Sequence, residues 1–332
     1  MKKFVFIIGI DVSKEKLDVY FHSTGYHFIV SNNTKGFAKL IENIVQNAGY
    51  SLTDILICFE NTGKYSKQLA VFLEASNVKF HMSPAYAIKK SLGLVRGKND
   101  KIDSKRIALY AYEKRESLKP TQLPGQKIDQ IKSLLALRYK LIKHRTSYKN
   151  GISDLKDCYQ EGETKFIKEV QENLIEQTTN QIERIEDEIM QIIKSEVEML
   201  KNYHLVLSIR GVGKITTFYV IAYTENFTAF ANAKQFACFC GIAPFPNESG
   251  KIIGKSRVHF LGNKRLKSIL DLVAKSTIRY NNEFKAYYDR RINELGKSKM
   301  STINIIRNKI IARIFAVVHR ETPYVDLHKF AA

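Results

Sequence analysis

The chain runs to 332 residues with a hydrophobic fraction of 44%, enough for roughly two domains with sizeable cores. Lys and Arg outnumber Asp and Glu by 53 to 33, and the formal charge of +20 is a field expected to draw in a polyanion, nucleic acid before any other. A membrane partner is not expected: no apolar run nears the roughly 18–20 residues of a span, the N-terminal apolar stretch meets Asp11 too soon for a secretory signal, and neither end supplies a basic amphipathic helix or lipidation motif.

Phe4 to Lys14, reading FVFIIGIDVSK, is an apolar run of the kind that forms a strand buried on both faces. Asp11 falls where the run gives out, so a lone carboxylate is delivered to the strand's C-terminal end; capping a turn is the plain alternative for such an acid. Lys16 to His22 and His27 to Ser31 alternate as two further strands about a Thr24-Gly25 turn, a β-meander with one face packed. A helix follows from Thr34 to about Gln46, apolar at Phe37, Leu40, Ile41, Ile44 and Val45 and ended by Gly49. A fourth strand, Ile55 to Phe59, leads straight into Glu60-Asn61-Thr62-Gly63. Then come a helix from Ser66 to about Ala75, a fifth strand from Val78 to Met82, a basic loop SLGLVRGKND and a helix from about Ile102 to Lys114. Three meander strands followed by helix, strand, helix, strand, helix is the layout of an RNase H-like α/β domain, in which the ends of strands one and four lie side by side.

On that layout the acids assemble. Asp11 ends strand one, Glu60 ends strand four, and Asp100 and Asp103 stand on one side of the last helix's start. Such a cluster can hold two Mg²⁺ ions about 3.5–4 Å apart and serve phosphodiester chemistry. Taken singly, Asp100 and Asp103 also read as acids matching a helix dipole, and Glu60 as a loop carboxylate.

Pro120 and Pro124 close this domain. Gln126 to about Gly151 reads as a basic amphipathic helix, with Ile128, Ile131, Leu134, Leu135, Leu141 and Ile142 on one stripe and Arg138, Lys140, Lys143 and Arg145 elsewhere on solvated faces. A second helix, from about Thr164 to Tyr203, carries Ile167, Val170, Leu174, Ile182, Ile185, Ile189, Ile192 and Leu200 at heptad-like spacing broken by Thr178 and Glu196. The pair reads as an antiparallel coiled-coil arm or a dimerisation surface.

The C-terminal part opens with Ile209-Arg210-Gly211-Val212-Gly213-Lys214 running into a helix from Ile215 to Tyr223. This pattern matches a helix-hairpin-helix, whose Gly-x-Gly turn offers backbone N–H groups to a phosphate; a plain tight turn is the alternative. In FACFCGIAPFPNESGKIIGKSRVHFLGNKR an apolar helix ends at Gly241, two prolines force an extended chain, and Ser249-Gly250 is expected in a flexible loop flanked by Lys251, Lys255, Arg257, Lys264 and Arg265. A serine hydroxyl becomes a useful nucleophile once its proton is taken and the developing charge is met, and clustered cations can do the second. Ser256 is a rival in the same stretch. Cys238 and Cys240 have the wrong spacing for a zinc knuckle, so with Cys58 and Cys158 they are expected to be buried thiols in a reducing cytoplasm. A last helix from about Thr302 to Val318 is expected in the core.

Taken in order, GIDVSK with Asp11, FENTG with Glu60, KNDKIDSKRIA with Asp100 and Asp103, IRGVG, and CGIAPFPNESG with Ser249 resemble the signature series of the DEDD-type insertion-sequence transposases. This is the insertion-sequence one-ten family, which includes the bridge-RNA-guided recombinases and is related to the Piv DNA invertases. The resemblance runs from Asp11 to about Lys275. It implies a RuvC-like catalytic domain over 1–118, a coiled-coil arm over 119–203, and a mainly helical transposase domain over 204–332 with a helix-hairpin-helix and a serine loop. Asp11, Glu60, Asp100 and Asp103 would be the metal-binding tetrad, loaded with Mg²⁺ or Mn²⁺, and Ser249 the nucleophile that attaches to a DNA end. Arg210, Gly211, Gly213, Lys214, Lys251, Lys255, Arg257, Lys264 and Arg265 would contact nucleic acid. The resemblance further implies donor and target DNA and a structured non-coding guide RNA as partners, a homodimer that pairs into a synaptic tetramer, one subunit's acids completed by another's serine domain, and work on the bacterial nucleoid. Two departures stand out: Ser104 follows Asp103 where the family often has Ala, and GKIIGKSRVHF is less glycine-rich than in some relatives.

Three other readings fit parts of the sequence. A junction-resolving nuclease would need the tetrad with water as nucleophile, and a non-catalytic nucleic-acid scaffold would need only the charge and the helix-hairpin-helix. An actin-like ATPase or sugar kinase shares the opening strand but lacks a later glycine-rich phosphate loop.

Overall fold

The computed structural model describes residue 4 and residues 6–48, 52–91, 99–158, 164–249 and 252–325. Gly49, Gly250, Lys251 and residues 92–98 of the basic loop lie outside these. The chain divides into two units, Met1–Leu123 and Pro124–Ala332.

The first unit is built on a five-stranded sheet of β1 (Phe6–Val12), β2 (Lys16–Phe21), β3 (His27–Ser31), β4 (Ile55–Glu60) and β5 (Phe80–Ser83), in the order β3-β2-β1-β4-β5. The meander pairs are antiparallel, while β1/β4 and β4/β5 are parallel. Alternation along each strand serves two layers. Phe6, Ile8 and Ile10 of β1 and Ile55, Ile57 and Phe59 of β4 share a core with Phe37, Leu40 and Ile44 of α1 (Thr34–Ala48) and Leu69 and Leu73 of α2 (Lys64–Ala75). On the opposite face Ile7, Leu56 and Cys58 pack with Ile88 of α3 (Ala85–Ser91) and Ile107, Tyr110 and Ala111 of α4 (Asp100–Lys114). With both faces covered, the strands read as near-continuous apolar runs, as the parallel half of such a sheet requires. The arrangement is consistent with an RNase H-like fold. Helix α3 was not expected from the sequence, and it begins directly after Pro84, whose fixed φ suits a helix start.

The second unit is mostly helical: α5 (Gln126–Cys158), α6 (Lys165–Lys194), α7 (Val197–Leu207), α8 (Lys214–Thr224), α9 (Ala233–Phe239), α10 (Lys264–Tyr280), α11 (Asn282–Asp289) and α12 (Lys299–Arg320). Ile131 and Leu135 of α5, Ile189 and Ile193 of α6, Phe218 and Ile221 of α8, Leu270 of α10 and Ile310 and Ile314 of α12 belong to one core, so α12 is buried as expected.

Four expectations are corrected here. The helix expected to run from Thr164 to Tyr203 is two. Ser195 turns its hydroxyl back to the Ile192 carbonyl, and Glu196 is extended at φ −127° and ψ 114° before α7 starts. Arg138 is not on a solvated face: it is 9% exposed and its guanidinium donates to Glu186, itself 9% exposed. The stretch holding Ser249 is not a loop but a β-hairpin, β6 (Pro244–Ser249) with β7 (Ile252–Val258). The hairpin's base is pinned where two backbones cross, since a Cβ on Gly262 would fall 2.1 Å from the Cα of Gly241, a residue at φ +68°. Among the described cysteines, Cys58 and Cys240 are buried as expected, whereas Cys238 is exposed.

Candidate active site

The site is assembled by register. β1 and β4 pair up to Ile10 with Phe59, so Asp11 and Glu60 are the next residues on neighbouring parallel strands. Alternation sends both to the face that carries Ile7 and Cys58, which is the face α4 covers. The approach of α4 is set by Gly9: a Cβ there would lie 2.3 Å from the backbone N of Ala108 and 2.3 Å from the carbonyl O of Ser104. Only a glycine lets the helix rest on the strand, and that contact sets the first turn of α4, with Asp100 and Asp103, at the sheet end where Asp11 emerges. Asn99 starts that turn by accepting from the Lys101 backbone N–H at 3.0 Å.

Electrostatics report the gathering. Burial first, and then the negative charges of Asp100, Asp103, Asp18 and Glu60, push the Asp11 carboxyl up from the ordinary aspartate range to about 6. The other three sequence-predicted acids therefore all act on Asp11, joined by a fourth, Asp18, that sequence reasoning missed. Asp18 is the antiparallel partner of Asp11 across β1/β2 and is 3% exposed. It is held by the Lys16 ammonium at 3.0 Å and by His27 Nε2 at 3.2 Å. Lys16 also reaches Asp100 at 2.8 Å, and Arg106 donates to Asp103 at 2.8 Å. Counting back across the turn at Ser13–Lys16 would have placed Asp18 opposite Asp11; in the sequence it is one polar residue of an alternating strand.

As placed, no three His, Cys, Asp or Glu side chains among the described residues close into a metal-holding group. The donor set nonetheless suits a hard divalent cation: burial and neighbouring negative charges together push Asp11 up to about 6, and the part due to those charges is repulsion that such an ion relieves.

The second unit's predicted residues separate into outward and inward ones. Ser249 is the last residue of β6, in register with Ile252 at the hairpin's closed end. Lys255 lies within β7, Ser256 and Arg257 are exposed on it, Lys264 is exposed at the start of α10, and Arg210 is exposed before the turn. Gly213 opens α8 with nothing within 4 Å of a would-be Cβ, whereas Gly211, at φ +96°, is packed against Thr277. Two expected contacts with nucleic acid are satisfied within the protein. The Lys214 ammonium is 2.7 Å from Glu186. Arg265 donates Nε to the Tyr219 hydroxyl at 3.1 Å, with its guanidinium 3.9 Å from the Tyr139 ring centroid.

Two family models match the chain. The DEDD transposase model of the insertion-sequence 110 group covers residues 8–159, and that of the Transposase IS116/IS110/IS902 family covers residues 203–289. The pilin gene-inverting proteins of Moraxella lacunata and Moraxella bovis are each 29% identical to the chain over 329 residues, spanning 96% of it and 97% of their own length. An insertion element IS900 uncharacterized 42 kDa protein from Mycobacterium paratuberculosis is 29% identical over 128 residues, 37% of this chain and 32% of that protein.

Proposed function

This chain belongs to the IS116/IS110/IS902 family of transposases, and on that footing we propose that it moves or inverts a DNA segment by strand exchange, using an acid site of Asp11, Glu60, Asp100 and Asp103 and the hydroxyl of Ser249. It is a DNA transposition and recombination enzyme; the chemistry below is our reading. The observation that carries it is the register and packing that bring Glu60 and the first turn of α4, with Asp100 and Asp103, to the end of β1, where burial and then these charges push Asp11 up to about 6.

In this reading the serine Oγ forms a bond to a backbone phosphorus as the bond to the leaving sugar oxygen breaks. The serine proton passes to a base and a proton is returned to the departing oxygen. A second sugar hydroxyl then attacks the same phosphorus and releases the serine, so no energy input is needed to reseal the strand. Divalent ions held by the four carboxylates would supply charge stabilisation to the phosphoryl oxygens. Lys264, Arg257 and Arg210, exposed in the second unit, supply backbone-directed positive charge. A helix-hairpin-helix at α7–α8, a coiled coil of α5 and α6, a RuvC-like identity for the first unit, a structured guide RNA, and a homodimer pairing into a tetramer belong to the same reading.

The test is a suicide DNA substrate that traps the covalent intermediate. Wild type is expected to yield a protein–DNA adduct that is absent from Ser249→Ala and from Asp11→Ala, with nucleic-acid binding retained in both. An adduct persisting in Ser249→Ala removes the serine's role, and cleaved ends without attached protein favour the water-using nuclease. Sequencing RNA that co-purifies with the chain tests the guide.

A further inference from the structure

Lys16 is the first residue of β2, and its ammonium has two partners of opposite character. Asp18, two residues on and therefore on the same face, has a side chain only 4% exposed; at 3.0 Å it anchors the lysine and needs that charge to offset its own burial. Asp100, at 2.8 Å, is 47% exposed on the first turn of α4. The lysine is thus fixed at one end and offers its remaining N–H groups to a solvent-facing carboxylate of the acid cluster. An ion pair this exposed is worth about 1 kcal/mol or less, so a doubly charged ion can displace it.

We propose that Lys16 is the built-in counter-charge of the acid cluster, holding Asp100 to β2 until a divalent cation takes that carboxylate, and so setting the cation concentration at which the site fills. The inference rests on the reading of Asp11, Glu60, Asp100 and Asp103 as metal ligands. Arg106 differs in that its pair with Asp103 runs along one helix, three residues apart, where Lys16 joins β2 to α4.

The experiment is a Mn²⁺ titration of the full chain without nucleic acid, following free ion by electron paramagnetic resonance. Wild type is expected to show saturable binding that Asp11→Asn abolishes. Lys16→Met is expected to half-saturate at about tenfold lower Mn²⁺, as removal of one nearby positive charge predicts, while Lys16→Arg stays within about twofold of wild type. Should Lys16→Met leave Asp18 too costly to bury and fail to fold, the double variant Lys16→Met/Asp18→Asn is compared with Asp18→Asn alone, against which it is expected to half-saturate at about tenfold lower Mn²⁺. An unchanged or raised midpoint in the folded neutral variant overturns the role of Lys16. If wild type shows no Asp11-dependent binding at all, the metal-site reading falls and this inference with it.

Discussion

Asp11 in the first unit is half-buried and Glu186 in the second is buried, and their neighbours differ in sign. Around Asp11 stand Asp100, Asp103, Asp18 and Glu60, which together with burial push its carboxyl up to about 6. Burial would raise Glu186 too, but hydrogen bonds and charges from Lys214 and Arg138 outweigh it and hold that carboxyl below its ordinary range. The first arrangement keeps repulsion that an incoming cation can relieve; the second is already neutralised and holds α5, α6 and α8 together. The contrast separates a carboxylate whose repulsion is left standing from one whose charge is cancelled within the fold.

The largest effect should come from breaking the neutralised centre. Glu186→Ala leaves Arg138 buried without its partner and is expected to cost about 3 kcal/mol, read as a lowered midpoint in urea denaturation. Next, Gly9→Ala forces a methyl into the backbone of α4 and should cost about 2 kcal/mol, with Mn²⁺ affinity falling as the first turn of α4 moves off β1. A smaller and pH-dependent effect sharpens the comparison. Because the folded pKa of Asp11 is raised, its contribution to stability is complete below about pH 4 and is lost as pH rises through about 6. Asp11→Asn should therefore melt together with wild type at pH 4 but roughly 2–4 °C higher at pH 8 in metal-free buffer. For Glu186 the sign is opposite: its contribution is present above the ordinary glutamate range and is lost as pH falls through its depressed value. Smallest of all, Lys127→Ala removes an exposed pair with Glu196 and should change stability by about 0.5 kcal/mol or less.

Much of the first unit was legible because its strands obey one rule: a residue's parity fixes its face. β1, β4 and the acids at their ends follow from that parity, and the acids at the start of α4 follow from helical spacing. Asp18 and Lys16 were not legible as site residues, because their importance lies in a cross-strand register and in a salt bridge to a helix 84 positions away. The second unit hid more. Arg138 and Glu186 meet across two helices 48 residues apart, and their polarity alone argued for a solvated face. The break before α7 was signalled only by a faltering apolar stripe at Glu196. The strand carrying Ser249 was obscured by Pro244 and Pro246, which resemble loop composition and here open β6 and sit within it.

The bare Cα of Gly9 has a consequence for anyone who would retune this enzyme. With no side chain between strand and helix, the spacing of the acids is a packing distance, and single substitutions in the surrounding loops cannot lengthen or shorten it. The atoms a side chain at position 9 would meet belong to the backbone of Ser104 and Ala108, so no choice of side chain at those two positions makes room for a larger residue there.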